Sequence, residues 1–127
     1  MASDTSYREW RLRVVAEAVA KGHRDPANLR ELSICTTDRD TAPVAEKYFA
    51  EHRQDADLLR SLVEVALEGD DAGDAPWAAA NIIESFPGSM LLLHKDGLER
   101  LAREEWEYLR LPATRALAKI AASEGAA

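Results

Sequence analysis

One spacing recurs along this sequence at intervals of 34 residues, and it limits what the chain can fold into. Ala45, Tyr48, Phe49 and His52 correspond to Ala79, Ile82, Ile83 and Phe86, and then to Ala113, Ala116, Leu117 and Ile120. Offsets of three, four and seven residues place each set on one helical face. A small residue at the first position lets another helix approach closely, and the other three form a stripe that a lone helix cannot bury. Between these segments lie leucine-bearing stretches around Leu29 and Leu32, Leu62 and Val65, and Leu98 and Leu101. The unit this predicts is helix, turn, helix, and three units stacked side by side make one continuous core. The 127 residues suffice for one such domain without a disulfide or metal.

The punctuation agrees with an all-α reading. Most of the 6 Gly and 5 Pro stand at punctuation points between apolar-periodic segments, and few stretches alternate as strands do. Seven helices are expected. Ser6 with Glu9 reads as a capping box opening the first, with Tyr7, Trp10, Val14, Val15, Ala18 and Val19 on its buried face before Gly22. Asp25-Pro26 opens the second, Asp40 caps the third and Asp55 the fourth. Asp74 and Pro76 start the fifth, which runs to Phe86 and is broken by Pro87-Gly88. Ser89 caps a sixth through about Arg103, and a seventh runs from about Trp106 to Ser123. Residues 1–24 form an N-terminal capping helix and residues 25–123 three helical pairs, within a single domain spanning 1–127.

The stretch Leu109-Arg110-Leu111-Pro112-Ala113-Thr114-Arg115-Ala116-Leu117-Ala118-Lys119-Ile120 resembles the second helix of a HEAT unit. From about residue 25 to 122 the chain is similar to HEAT and armadillo-type repeats, with Thr41-Ala42 and Ala75-Pro76 standing where the family carries an apolar-Arg pair. Tetratricopeptide repeats share the period, but their small residue and aromatic in the first helix are missing. The resemblance implies a short right-handed α-solenoid whose second helices line a concave surface. Its exposed columns are then Glu46, Ala80 and Thr114; Lys47, Asn81 and Arg115; and Ala50, Glu84 and Ala118. Trp77 lies off the regular stripe as a candidate binding anchor, while Trp10 and Trp106 read as core or cap residues.

Charge narrows the partners. A formal net charge of -7 repels phosphate backbones and anionic lipid, so neither nucleic acid nor membrane is expected. From Gln54 to Asp74 seven carboxylates stand against Arg60 alone. They include Glu68, Asp70 and Asp71, and with Trp77, Asn81, Glu84 and Arg115 they form the expected partner-binding set. The complementary partner is a basic protein. The longest strictly apolar run, Met90 to Leu93, is far shorter than a membrane span, and no basic-then-apolar leader opens the sequence. The single cysteine, Cys35, cannot form an intrachain disulfide. A cytoplasmic protein, monomeric or weakly dimeric, is expected.

Catalytic signatures are not found. The sequence holds no HExxH, no GxxxxGK[ST], no Gly-rich phosphate turn and no cysteine pair for zinc. The acidic turn from Glu68 to Asp74 fails as a calcium loop, because Ala72, Ala75 and Asn81 occupy ligand or turn positions. Nothing in the spacing joins Cys35 to His23, His52 or His94, and His52 reads as a half-buried helix-end residue. No cofactor, metal or catalytic residue is therefore expected. The leading reading is a non-catalytic protein-interaction module: an adaptor, an assembly factor, or an immunity-type inhibitor of a basic toxin. The alternative is an enzyme or small-ligand protein using Glu84 with Arg115, or a histidine, on the concave floor.

Overall fold

A computed structural model describes residues 2–69 and 73–126, and the side-chain surroundings of residues 6–69 and 73–124. The fold is all-α, with no strand among the described residues. Its principal helices are α1 (Ala2–Lys21), α2 (Pro26–Cys35), α3 (Ala42–Glu51), α4 (Ala56–Ala66), α5 (Asp74–Glu84), α7 (Lys95–Ala102) and α8 (Glu107–Ala126), with a single turn, α6 (Gly88–Leu91), before α7. None of the described helices is long and apolar enough to cross a membrane.

Two helix starts follow the sequence closely. Asp25 accepts a hydrogen bond from the Ala27 amide at 3.0 Å, and Asp55 accepts one from the Leu58 amide at 3.1 Å. Each satisfies an amide that the first helical turn leaves unpaired, worth about 1 kcal/mol. Three other starts differ. Helix α1 already runs from Ala2, so Ser6 is an interior residue rather than a cap. Thr41, not Asp40, precedes α3, and the Thr41 hydroxyl turns inward to the Cys35 carbonyl at 2.8 Å. Ser89 lies inside α6, and a 3-10 turn at Leu92–His94 splits the expected sixth helix into α6 and α7. Gly97 comes near enough to Val63 that a side chain there would press on it.

The core holds the predicted stripe. Ten of its twelve positions are buried, with His52 and Leu117 half-buried. Leu29, Leu32, Leu58, Leu59, Leu62, Leu98 and Leu101 join them from the other helices. Helix α5 is central, packing on α4, α8 and α2. Its alanines explain this: Ala75, Ala78, Ala79 and Ala80 are all buried and let neighbours approach from several sides. Ala80, placed by the sequence in an exposed column, is therefore inside. The α4–α5 and α7–α8 pairs pack closely, whereas α2 lies more on α5 than on α3, and α3 turns toward α1 and α2. A groove of about 460 Å³ separates α3 from α5.

The outer end of α1 corrects another expectation. Tyr7 is 58% and Trp10 50% exposed, and only Val15 and Ala18 of the predicted face are fully buried. The two rings lie against each other with centroids 5.9 Å apart on the solvent side. Arg8 and Arg11, on the same stretch of α1, reach Asp40 at 3.6 Å and Asp38 at 2.6 Å ahead of α3, but the Tyr7 and Trp10 rings stay in solvent.

Candidate interaction surface

Helices α5 and α8 begin side by side, and their first turns set three aromatic rings around one hollow. Gly73 leads into α5 at φ 86°, a left-handed conformation that favours glycine. Pro76 is buried behind it, and Trp77 emerges half-buried at the seam. The Trp106 carbonyl accepts the first amides of α8, from Leu109 at 3.1 Å and Arg110 at 2.9 Å. Held there by its backbone at the start of α8, Trp106 is 48% exposed and is not a core residue, one of the two roles expected for it. Tyr108 stands between the two indoles. Its ring meets Trp77 edge-on at 5.7 Å and lies tilted to Trp106 at 6.0 Å. The hollow measures about 360 Å³, and Asp74, Pro76 and Leu109 complete its walls.

Trp77 also borders the α3–α5 groove and a smaller hollow of about 140 Å³ that includes Asn81, Leu111 and Arg115. The Asn81 amide donates back to the Trp77 carbonyl at 3.0 Å. Glu84 and Arg115 meet across the seam, Nε to Oε1, at 2.7 Å, and this bond raises the Arg115 pKa above its ordinary value. Lys119 donates to the Glu84 and Phe86 carbonyls at 2.6 Å each, closing the C-terminal end of α5 with a positive charge. The structure thus brings together Trp77, Asn81, Glu84 and Arg115, but the acid and the base neutralise each other.

The acidic members of the predicted set are elsewhere or outside view. Glu68 follows α4 and forms a two-pronged ion pair with Arg30 of α2, with Nε to Oε1 at 2.9 Å. The bond from Arg30 holds the Glu68 carboxyl below the usual range. Glu68 borders a separate hollow between α2 and α4. Asp70 and Asp71 lie outside the described residues.

A second polar group escaped the sequence. His23, just beyond α1, has Nε2 3.1 Å from Asp55 Oδ2 and Nδ1 2.5 Å from the Tyr48 hydroxyl. His52 stacks on Tyr48 at 4.2 Å and lies 5.8 Å from His23. Spacing in the chain could not show this, because three inter-helix connections bring the residues together; the one local signal was the double duty of Asp55 as helix cap and carboxylate. The order carboxylate, imidazole, hydroxyl has the wiring of an activated hydroxyl. Yet Tyr48 is buried, burial followed by the Asp55 charge raises its pKa, and none of the hollows above reaches it. The group ties the ends of α1, α3 and α4. Cys35 is buried with Val15 and Ala45, and burial, reinforced by Glu31, pushes its thiol pKa up. No cluster of three or more His, Cys, Asp or Glu able to hold a metal occurs among the described residues.

These features define an all-α protein with two groups of exposed aromatic rings, Tyr7 with Trp10 on α1 and Trp106 with Tyr108 beside Trp77 at the α5–α8 seam. Compared with models of protein families, with curated proteins and with solved structures, the chain matches none.

Proposed function

We propose that this protein is a non-catalytic module that binds another protein through the α5–α8 seam. The observation that carries the reading is the cluster of large rings left in solvent where the two helices begin: Trp106 at 48%, Tyr108 at 57% and, beside them, Leu111 at 44% exposure. Aromatic side chains with a nearby arginine are the residue types that anchor protein interfaces, because each removes much area from water while keeping a polar handle. The net charge of -7 favours a basic partner and accelerates its approach. Burial of equivalent positions in α3, α5 and α8 supports a short HEAT-like repeat as the scaffold. An adaptor, an assembly factor and an immunity-type inhibitor of a basic toxin all fit this surface. The lone, unpaired Cys35 fits a reducing, cytoplasmic setting.

A photo-crosslinking residue placed at Leu111, and separately at the exposed Leu93 of the 3-10 turn, tests this in the producing cell. A protein adduct from Leu111 but not from Leu93 is expected. No adduct, or equal adducts from both positions, overturns the proposal.

A further inference from the structure

We infer that the hollow walled by Trp77, Trp106, Tyr108 and Asp74 binds a quaternary ammonium group. Three aromatic rings and one carboxylate line a single open cavity, and among the described residues Asp74 is the only charged side chain in its wall. Among the described residues Asp74 makes no ion pair, whereas Glu84 and Glu68 are each matched by an arginine. Ring faces carry the negative part of the aromatic quadrupole, so a cation set among them is attracted without needing hydrogen bonds.

Charge balance favours this ligand over an anion. The N-termini of α5 and α8 each carry roughly +0.5 of an elementary charge. Asp74 in the first turn of α5 sets a full negative charge against that, while Glu107 in the first turn of α8 is paired with Arg110 at 3.6 Å. Asp74 thus offsets the positive helix ends at the hollow itself, and the net charge of -7 on the chain favours a cation over an anion there.

Desolvation then chooses among cations. A primary ammonium carries three donors and is strongly hydrated, so one carboxylate leaves it underpaired. A quaternary ammonium has no donor to leave unpaired, its charge is spread over methyl groups, and those methyls pack on the rings. The same chemistry occurs in free choline-type compounds and in trimethylated lysine on a protein. The second source deepens the proposed protein-binding role and rests on it; the first does not.

The test is an NMR titration of the full chain at constant ionic strength, following the three indole N–H signals. Trp10, exposed on α1 and remote in sequence, serves as an internal control. With tetramethylammonium and with choline, Trp77 and Trp106 should shift saturably, with dissociation constants on the order of millimolar, while Trp10 stays fixed. The neutral isostere 3,3-dimethylbutan-1-ol should bind at least tenfold more weakly. Asp74→Asn should weaken choline severalfold, and Trp106→Ala, a surface change, should abolish saturation with the fold retained. Equal binding of the isostere, shifts of the same size at Trp10, or no saturation overturns the inference. A trimethyl-lysine peptide that binds more tightly than choline assigns the group to a protein; equal affinity assigns it to a free compound. A peptide with arginine or unmodified lysine at that position binding as well as the trimethylated one overturns the choice of quaternary ammonium. Tetramethylammonium binding does not depend on the crosslinking result at Leu111, so failure of either proposal is seen separately.

Discussion

Gly88 lies so near Lys119 that a methyl group on its Cα would stand 2.8 Å from the Lys119 carbonyl oxygen and 2.9 Å from Ser123 Cβ. The glycine lets α6 seat directly on the backbone of α8. Gly88→Ala should cost roughly 1–3 kcal/mol, because the obstruction is backbone and cannot rotate away. Urea denaturation checks this, with exposed Ser89→Ala as the neutral comparison. Equal midpoints for the two variants would place α6 farther from α8.

Ile83 points into the centre of the core from α5 and is 1% exposed. Ile83→Ala should lower stability by about 2–5 kcal/mol, and Ile83→Val by about 0.5–1.5 kcal/mol, the difference reflecting the size of the cavity left. Chemical denaturation of both variants is the measurement. A loss below 0.5 kcal/mol for the alanine variant would contradict the central position of α5.

Acidification should reveal His94. Burial first, and then the neighbouring Arg60 charge, lower its pKa, with Glu64 opposing them. Lys95, Asp96 and Arg100 border the same hollow. A histidine whose folded pKa is depressed contributes stability above its unfolded value near 6.5, and that contribution is lost as pH falls through the folded pKa. Between pH 7.5 and 5, thermal stability of His94→Gln should therefore decline less than that of the parent chain. Parallel melting curves against pH would show that His94 does not take up its proton on unfolding.

Cys35 should be inert in the native protein. Its raised pKa leaves little thiolate at neutral pH, and burial blocks reagent access. Reaction with a disulfide reagent should be slow in buffer and fast in denaturant. A native rate equal to the denatured rate would mean that α2 and the start of α3 open freely.

The contrast between what was legible and what was not has a physical pattern. The stripe in α3, α5 and α8 could be read because burial along a helix repeats with the backbone, so Ala79, Ile83 and Ile120 declare themselves by spacing. Asp25 and Asp55 could be read as caps because that chemistry is local. The exposure of Tyr7, Trp10 and Trp106 could not: an aromatic residue at helical spacing looks the same whether or not a neighbour reaches far enough to cover it. The pairing of Glu84 with Arg115 depends on the register between two helices, which no single segment encodes. The same holds for the meeting of His23, Tyr48 and Asp55. The exposure of Asn81 and the half-burial of Trp77 follow from the face of α5 that the stripe leaves outside.

The edge-on contact of Trp77 with Tyr108 should be energetically real although one partner is largely in solvent. Trp77→Ala removes a half-buried indole and should cost about 0.5–3 kcal/mol, whereas Trp106→Ala, at the exposed end of the cluster, should fall within about 0.5 kcal/mol. A double-mutant cycle with Tyr108→Ala isolates the ring pair from the burial each ring makes elsewhere. An edge-to-face pair contributes about 0.5–1.5 kcal/mol beyond area burial, and the exposure of Tyr108 sets the expected coupling at the lower end of that range. The same cycle between Trp106 and Trp77, which share Tyr108 as a neighbour, should give a smaller value. Additive effects of Trp77→Ala and Tyr108→Ala would mean that the rings move independently in solution, and the hollow between them would then not be preformed.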